Sequence, residues 1–361
     1  MAPYPPPQEA ATSTLAERVG KGPDQNPNDT ITTSPNCNPN GQESPTGKKT
    51  QASPTAIPEI QWYYGKHESR IAYWLLLSGA KHFGYYPRGT FNPFPITSAL
   101  RRMENEILQC LSLAPGSRVL DLGCGEGHIS RYIAREGSFP LVLGLDITAS
   151  HLAKARRAIS GDVLRGFLRQ GQVEVRLGDY HDLFTSGTGI KMGEWDGVTA
   201  VETLAHAVDT KLAFSEVYRA LKPGGRFCFN DYRIGIPDDV VRNESDGEVD
   251  EKELSPQQRK TLKAWRWVMR TGGMKGSEYS YAGTYERLLK EAGFVDVKVV
   301  DLSENMRPMA RWFWILSLLP YAFAKLFRLE KAFYNSVSMY EQYVEWGGWA
   351  YCQWSATKPA T

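Results

Sequence analysis

The stretch Val119–Gly127, which reads VLDLGCGEG, decides the fold. An aliphatic run containing Asp121 leads into three glycines at alternate positions, Gly123, Gly125 and Gly127. A short apolar run followed by a glycine turn is typical of a strand that leads into a helix. The spacing is G-x-G-x-G, whereas dinucleotide-binding folds use G-x-G-x-x-G to bring a helix N-terminus to a pyrophosphate. The stretch therefore indicates an α/β fold whose ligand is not a dinucleotide.

Asp121 indicates the charge of the ligand group that lies next to it. A carboxylate at the end of the strand would repel a phosphate at close range, and it suits a ligand with a cationic amino group. Gly123 and Gly125 allow the backbone to approach the ligand, because no Cβ atom stands in the way.

Around this stretch, short β-branched runs alternate with helical patterns from residue 98 to about residue 300. This order predicts a parallel sheet with helices on both faces. The predicted strands are 118–122, 141–147, 173–177, 197–201, 226–230, 295–300 and 349–356. The predicted helices are 127–136, 150–168, 210–221 and 284–292. We expect a seven-stranded, mostly parallel sheet whose last strand is an antiparallel edge strand, with helical cap insertions.

Two further acids follow predicted strands. Asp146 ends the second strand, where a carboxylate can accept both hydroxyls of a ribose. Asp179 follows the third strand, where it can accept an adenine amino proton. One ligand that carries an amino acid, a ribose and an adenine satisfies Asp121, Asp146 and Asp179 together, and that ligand is S-adenosylmethionine. Each acid taken alone is also compatible with a helix cap or a solvated surface group.

The motifs VLDLGCGEG, GLDI, GDY and LKPGG occur in the order and spacing of the class I S-adenosylmethionine-dependent methyltransferases, which this chain resembles from about residue 80 to 300. Residues 200–225 are similar to the same stretch of sterol 24-C-methyltransferases. The resemblance implies a Rossmann-like class I methyltransferase fold with S-adenosylmethionine as the cofactor. It also implies the cofactor-binding residues Asp121, Gly123, Gly125, Gly127, Asp146, Ile147, Asp179, Tyr180 and Glu202, with Glu202 and His206 on the substrate side.

The segment Lys81–Tyr86, KHFGYY, differs from the Y-E-x-G-W-G motif of sterol methyltransferases. It resembles the H-x-G-Y-Y segment of tocopherol-type and small natural-product methyltransferases. This resemblance implies that the segment folds over the cofactor, with Tyr86 as a cofactor-binding residue and Tyr85 as a catalytic residue near the sulfonium. The alternative is that both tyrosines are core aromatics at a helix end.

His206 is the main candidate for a general base, because imidazole titrates near neutral pH and the residue follows a strand that points at the ligand crevice. The alternative is a structural histidine, since methyl transfer to an amine or a phenolate needs no base. His82 and His128 are weaker candidates. Glu202 and Tyr85 complete the predicted catalytic set.

The C-terminal part, with seven tryptophans after residue 260, suggests an apolar or aromatic acceptor. The sequence thus predicts methyl transfer from S-adenosylmethionine to a small natural product or lipid-like molecule. The alternative is a protein that binds S-adenosylmethionine without transferring the methyl group and either catalyses a rearrangement or has a regulatory role.

The N-terminal residues differ in composition from the rest of the chain. Residues 1–58 hold eleven of the 22 prolines and few large aliphatic residues, which predicts a disordered arm. We expect an N-terminal helical lid or substrate segment over 59–110 and a methyltransferase core over 111–361. Insertions are predicted at 237–280, which is rich in acids, and at 306–345.

Charge and cysteine content exclude several classes of function. A net charge of +2 gives no basic field for nucleic acid. Five cysteines without a C-x-x-C pair, and histidines without metal-ligand spacing, indicate neither a disulfide framework nor a metal site. We therefore expect a cytoplasmic protein. The apolar run 312–327 is too short to span a bilayer and is broken by Pro320 and Lys325, so it is expected to be a buried or substrate-facing cap helix; its basic flanks also allow peripheral membrane contact through 311–331.

Overall fold

The computed structural model describes residues 79–185, 187–243 and 248–361. The predicted arm over 1–58 lies outside the described residues, as does the part 59–78 of the predicted N-terminal segment.

The main strands and helices follow one another in an alternating order. In chain order they are α1 (Ile96–Leu111), β1 (Arg118–Leu122), α2 (His128–Glu136), β2 (Leu141–Asp146), α3 (Ala149–Leu164), β3 (Val173–Leu177), β4 (Trp195–Val201), α4 (Thr210–Ala220), β5 (Leu221–Ile234), β6 (Val241–Asn243), β7 (Glu248–Val249), α5 (Pro256–Thr271), α6 (Lys275–Glu278), α7 (Thr284–Glu291), β8 (Val295–Asp301), α8 (Ser303–Phe327), α9 (Tyr334–Val344) and β9 (Trp349–Thr357).

Seven of these strands form one sheet in the order β3-β2-β1-β4-β5-β9-β8, while β6 and β7 pair separately. Strands β1 to β5 are parallel, and β9 runs antiparallel to both of its neighbours. The predicted seven-stranded sheet with an antiparallel last strand is therefore confirmed. The strand order reverses at β1 and β4, and in open α/β sheets ligands bind at the carboxyl ends of the strands at such a point.

Two details of the prediction were wrong. Strand β9 lies between β5 and β8, so the edge strand is β8. The run 349–354 is buried throughout, as expected for a strand whose two faces are both covered. Strand β5 begins at Leu221, earlier than the predicted start at 226, because Leu221 already pairs with Trp195 before a register shift leads to the pair Gly197–Arg226.

The cap consists of α5, α6, α8 and α9, which lie in or close to the two predicted insertions. Helix α8 runs for 25 residues and continues through Pro320, which the sequence analysis had treated as a break. Packing against α9 offsets the cost of the proline, about 3 kcal/mol. Tyr321 stacks on Tyr340 at 3.6 Å, and Trp314 stacks on Tyr343 at 5.0 Å between ring centroids. Within the described part of the chain, no helix has both the length and the apolar character needed to cross a membrane.

The cysteines also differ from the prediction. Cys110 in α1 and Cys228 in β5 form a disulfide, with their Cα atoms 6.1 Å apart. The two residues are 118 positions apart in sequence, so local spacing gave no sign of the pair. The disulfide ties α1 to the sheet on the side where the cap packs.

Candidate functional site

A cavity opens where β1, β2 and β4 end, and we call it the first cavity. Eight of the predicted site residues line it: Asp121, Gly123, Gly125, Asp146, Ile147, Tyr180, Glu202 and His206. They come from separate loops, and the parallel sheet brings these loops together at one edge. The sequence analysis therefore located the cavity correctly.

Among the carboxylates that line the first cavity, Asp121 is the most buried, at 2% exposure. Ser130 of α2 donates a hydrogen bond to it through its hydroxyl. Burial raises the pKa of Asp121 to about 7, against the effect of the Ser130 hydrogen bond. A cationic amino group placed next to this carboxylate would stabilise its charged form.

Gly123 has a left-handed backbone with a φ of 64°. A Cβ atom at this position would lie 2.0 Å from Oγ1 of Thr203, so any side chain would clash with the loop after β4. The glycine is required because two loops meet at the rim of the first cavity.

Asp146 ends β2, and backbone amides hold both of its carboxylate oxygens. Gly125 N donates to Oδ2 at 2.9 Å and Thr148 N donates to Oδ1 at 2.7 Å. Burial raises the pKa of Asp146, but hydrogen bonds from His151 and these amides outweigh burial, so its pKa lies below the ordinary value. Asp146 is thus a fixed, ionised acceptor; Oδ1 accepts from Thr148 N and faces His151, while Oδ2 keeps a second lone pair for a ligand.

Lys81 reaches into the first cavity from the segment that precedes α1. Its Nζ lies 2.5 Å from Nε2 of His151 and 3.9 Å from Oε1 of Glu126. Burial lowers the pKa of Lys81 to about 8. The contact makes Nε2 of His151 an acceptor, so the Nδ1 proton faces Asp146, whose Oδ1 lies 3.5 Å away.

The charge of the lining fits a cationic ligand. Four carboxylates line the first cavity, and Lys81 is the single lysine or arginine among its lining residues; the carboxylates belong to Asp121, Glu126, Asp146 and Glu202. S-Adenosylmethionine carries an ammonium and a sulfonium group, and both are favoured by such a lining, whereas a pyrophosphate is not.

Glu202 follows β4 with a left-handed φ of 51°. One carboxylate oxygen accepts from Phe83 N at 2.8 Å and from the Tyr351 hydroxyl at 2.9 Å, and the other accepts from the Tyr232 hydroxyl at 2.6 Å. Burial raises the pKa of Glu202. Glu202 therefore joins the sheet to the segment at 81–83, which lies beside the first cavity.

A second cavity lies against the first, under the cap. Four residues line both cavities: Lys81, His82, Glu202 and His206. The remaining lining is mainly apolar and includes Phe83, Ala205, Tyr232, Met269, Met274, Phe313, Tyr334 and Met339. A molecule in the second cavity therefore borders the cofactor cavity, as a substrate pocket requires.

Helix α9 supplies the polar part of the second cavity. Asn335, Ser338, Met339 and Gln342 follow a spacing of three and four residues, so they share one face of the helix. The Gln342 amide donates to the Ser338 hydroxyl at 3.2 Å. The second cavity thus has amide and hydroxyl groups on the wall formed by α9, in addition to the four polar residues that it shares with the first cavity.

His206 is buried and neutral near pH 7. Its Nδ1 donates to the Gly273 carbonyl at 3.1 Å, which leaves the proton off Nε2. Burial lowers the pKa of His206 against the effect of that bond. The residue lies where a base would be needed, but the lowered pKa makes it a weaker base than an exposed imidazole.

Four predicted residues line neither of these two cavities. The carboxylate of Asp179 accepts from His181 N at 2.9 Å and lies 2.7 Å from Nδ1 of His181, and it faces a separate cleft. Gly127 has a φ of 77° and forms the N-cap of α2. Both residues thus lie outside the lining of the two cavities, and their cofactor contacts stay predictions.

Tyr85 and Tyr86 also lie outside the lining of the two cavities. The Tyr86 hydroxyl donates to the Pro93 carbonyl at 2.8 Å, and the Tyr85 amide donates to the Ala99 carbonyl at 2.9 Å. A Cβ atom on Gly84 would lie 2.6 Å from the Cβ of Ala99, so the glycine lets the chain cross α1 closely and leave the site. Lys81, His82 and Phe83 of the same segment face the cavities instead.

Sequence reasoning missed the roles of Lys81, Thr203 and His151. Thr203 is adjacent to the predicted Glu202, and His151 lies five residues after Asp146, so proximity to motif residues was the available signal. Lys81 lies 38 residues before Val119 and opens the segment that was expected over the cofactor, but the resemblance gave roles in that segment only to the tyrosines.

Comparison with known proteins agrees with this geometry. Residues 113–293 match the family described as "Methyltransferase domain". The S-adenosyl-L-methionine-dependent Diels-Alderase iccD of Talaromyces variabilis is 35% identical over 301 residues, which cover 83% of this chain and 94% of that protein. The S-adenosyl-L-methionine-dependent Diels-Alderase iliD of Neonectria sp. (strain DH2) is 32% identical over 257 residues, which cover 71% and 91%.

Among solved structures, the (4 + 2) cyclase SpnF shares the fold with a TM-score of 0.58 and 19% identity, over 84% of this chain and 95% of that chain. The cofactor of the group is S-adenosylmethionine, in agreement with the acidic lining of the first cavity. The chain is therefore a member of the S-adenosylmethionine-dependent methyltransferase superfamily.

Proposed function

We propose that the chain catalyses an intramolecular Diels-Alder cycloaddition of an apolar polyene, with S-adenosylmethionine bound but not consumed. The observation that carries this proposal is the apolar second cavity beside the cofactor cavity, in a chain that covers nearly the whole length of two Diels-Alderases. This is the rearrangement alternative from the sequence analysis.

The reaction requires no proton transfer and no leaving group. A diene and an alkene of one molecule form two new σ bonds, and three π bonds become one, so the product is an isomer of the substrate. The protein therefore has to hold the diene and the alkene of the folded substrate in contact, in the conformation that reacts. Apolar side chains such as Met269, Phe313 and Met339 suit the folding of a hydrocarbon chain.

The polar wall on α9 suits a carbonyl group conjugated to the alkene. A hydrogen bond to that carbonyl withdraws electrons from the alkene and stabilises charge that develops in the transition state. We assign this role to the face that carries Asn335, Ser338 and Gln342.

Asp121 and Asp146 would hold the amino group and the ribose of the cofactor. Bound S-adenosylmethionine supplies a fixed positive charge and a methyl group. In the proposed reaction the positive charge acts electrostatically and the methyl group is not transferred. Glu202 and Lys81 line both cavities and set the electrostatic environment where the two cavities meet.

Methyl transfer is the second candidate. The four residues shared by the two cavities favour it, because an acceptor in the second cavity would border the cofactor. The narrower resemblance to sterol and tocopherol-type enzymes, and the small apolar acceptor expected from the sequence, belong to this candidate.

A product assay separates the two. The protein is incubated with S-adenosylmethionine and an acyclic triene that carries an unsaturated ketone, and the products are analysed by mass spectrometry. Cycloaddition gives a product with the mass of the substrate, whereas methylation adds a methylene unit. Gln342→Leu should slow cycloaddition, and the exposed Gln170→Leu is the matched control. A methylated product without any isomeric product would overturn the proposal.

A further inference from the structure

Helix α8 exposes a row of large apolar side chains. Leu316, Leu319, Phe323 and Leu326 follow one another at intervals of three or four residues, so they form one stripe along the helix. Leu319 is 83% exposed and Leu326 is 75% exposed. We call these four residues the α8 stripe.

The stripe continues onto the loop before α1. Trp312, one turn before Leu316, packs edge-on against Phe94 with ring centroids 5.3 Å apart. Phe91 on the same loop is 75% exposed, and the guanidinium of Arg311 lies over its ring at 3.6 Å. Two separate elements thus form one apolar patch, and contiguous apolar patches of this kind mark interaction surfaces.

The charge around the patch has one dominant sign. Residues 303–332 contain five basic side chains and two acidic side chains, Glu304 and Glu330, and Glu304 forms an ion pair with Arg307 at 3.1 Å. The basic residues stand at both ends of the stripe: Arg307, Arg311, Lys325, Arg328 and Lys331. An apolar face flanked by lysine and arginine is typical of helices that lie on anionic membranes.

The buried side of α8 borders the second cavity. Phe313 contributes to its lining, and Met309 is buried one turn earlier. Helix α8 therefore separates the pocket from the apolar patch. An apolar substrate dissolved in a lipid layer would reach the protein next to the wall of its own pocket.

We propose that the α8 stripe, together with Phe91 and Phe94, docks on the surface of an anionic lipid membrane. A twofold dimer through the same patch would place its basic ends against each other, because both partners use the same surface. The N-terminal residues 1–78 carry six basic and seven acidic side chains, which do not supply the negative charge that would neutralise the patch. Anionic lipid head groups do supply it, and they attract basic side chains near the membrane surface.

Flotation of the full chain with vesicles tests this proposal. One set of vesicles contains phosphatidylcholine alone, and the other contains phosphatidylcholine with phosphatidylserine. We expect the protein to float with the phosphatidylserine vesicles. The double variant Leu319→Gln with Leu326→Gln should reduce partitioning about tenfold or more, since each leucine contributes buried apolar area.

The matched control is Leu164→Gln with Leu177→Gln, two leucines that are 88% and 58% exposed on other elements. These substitutions should leave flotation unchanged. Arg328→Ala with Lys331→Ala should weaken binding to the anionic vesicles, and added salt should do the same.

The oligomeric state of the same variants is measured by light scattering. Failure of the unmodified chain to float with either vesicle would overturn the proposal, and so would equal flotation of the stripe variant and the control. A dimer that the stripe variant converts to a monomer, without any flotation of the unmodified chain, would assign the patch to a second copy instead.

Discussion

Asp121 is expected to make the empty protein sensitive to pH. Burial raises its pKa from 3.8 to about 7, so between these values the folded protein holds a proton that the unfolded chain releases. The free energy of unfolding should therefore fall as pH rises across this interval, by up to about 1.4 kcal/mol per pH unit, and level off above it. Asp121→Asn should remove the contribution of Asp121 to the pH dependence of the free energy of unfolding, measured by urea unfolding at several pH values. Burial also raises the pKa of Asp231 to about 7, so the Asp121→Asn protein should keep the pH dependence that Asp231 contributes.

The same group should couple cofactor binding to protons. A cationic ligand next to Asp121 favours the carboxylate, so S-adenosylhomocysteine should bind more tightly as pH rises toward about 7 and should release a proton below that value. Calorimetry in buffers of different ionisation enthalpy measures this release. Equal proton release by the unmodified protein and by Asp121→Asn would remove Asp121 from the site.

Asp146→Ala tests the ribose contact. Loss of one partner of charge-assisted hydrogen bonds costs about 1.5 to 3 kcal/mol, so affinity for S-adenosylhomocysteine should fall at least about tenfold. The exposed Asp239→Ala is the matched control and should bind normally. If a folded Asp146→Ala protein also bound normally in calorimetric titration, the ribose assignment would be wrong.

His206→Asn distinguishes the two candidate reactions. Cycloaddition uses no base, so the variant should keep turnover within about tenfold, whereas loss of a general base lowers turnover by about 10² to 10⁴. Because burial lowers the pKa of His206, a base at this position would give a rate that is already independent of pH above about 6.5. Turnover of the variant, measured where chemistry limits the rate, decides between them.

Among the elements, the segment that crosses α1 at Gly84 holds the lining residues Lys81 to Phe83. A Cβ atom on Gly84 would meet Ala99 Cβ at 2.6 Å and Met309 Cε at 2.9 Å. Gly84→Ala should therefore destabilise the fold by about 1 to 3 kcal/mol, as overpacking does. Gly161→Ala on α3 is the control, since its Cβ would meet nothing closer than 3.5 Å and alanine favours a helix. Urea unfolding of both variants measures the difference, and equal stability would contradict the tight crossing.

The sequence predicted the sheet and most of the cofactor cavity, because both depend on local signals. An aliphatic run that contains Asp121 or ends in Asp146 needs only its own few residues to indicate a strand that leads to a ligand-binding edge of the sheet. The position of β9 between β5 and β8, and the disulfide of Cys110 with Cys228, depend on pairing between distant segments. Local patterns do not encode such pairing, so these features came only from the fold.

The tyrosines of the 81–86 segment show a different limit. The sequence analysis selected a segment whose first residues do line the cavities. Gly84 lets this segment pass close to α1, and beyond this point Tyr85 and Tyr86 lie outside the lining of both cavities. A resemblance gives the residues that matter in a family, while the direction of each side chain depends on the packing of α1 and α8 in this chain.

For the whole molecule, the fold presents two adjoining cavities with different chemistry. The first is acidic and suits a cationic cofactor, and the second is apolar with one polar wall. Because Lys81, His82, Glu202 and His206 line both, binding in one cavity should alter the other. This arrangement allows a bound sulfonium to influence a reaction without donating its methyl group.

The most direct test follows the methyl group. The full chain is incubated with S-adenosylmethionine labelled in its methyl group and with the acyclic polyene ketone, and the label is traced while product accumulates. We predict an isomeric cyclic product that contains no label, formed faster with cofactor than without it, and no S-adenosylhomocysteine. Labelled product formed together with an equal amount of S-adenosylhomocysteine would contradict the account.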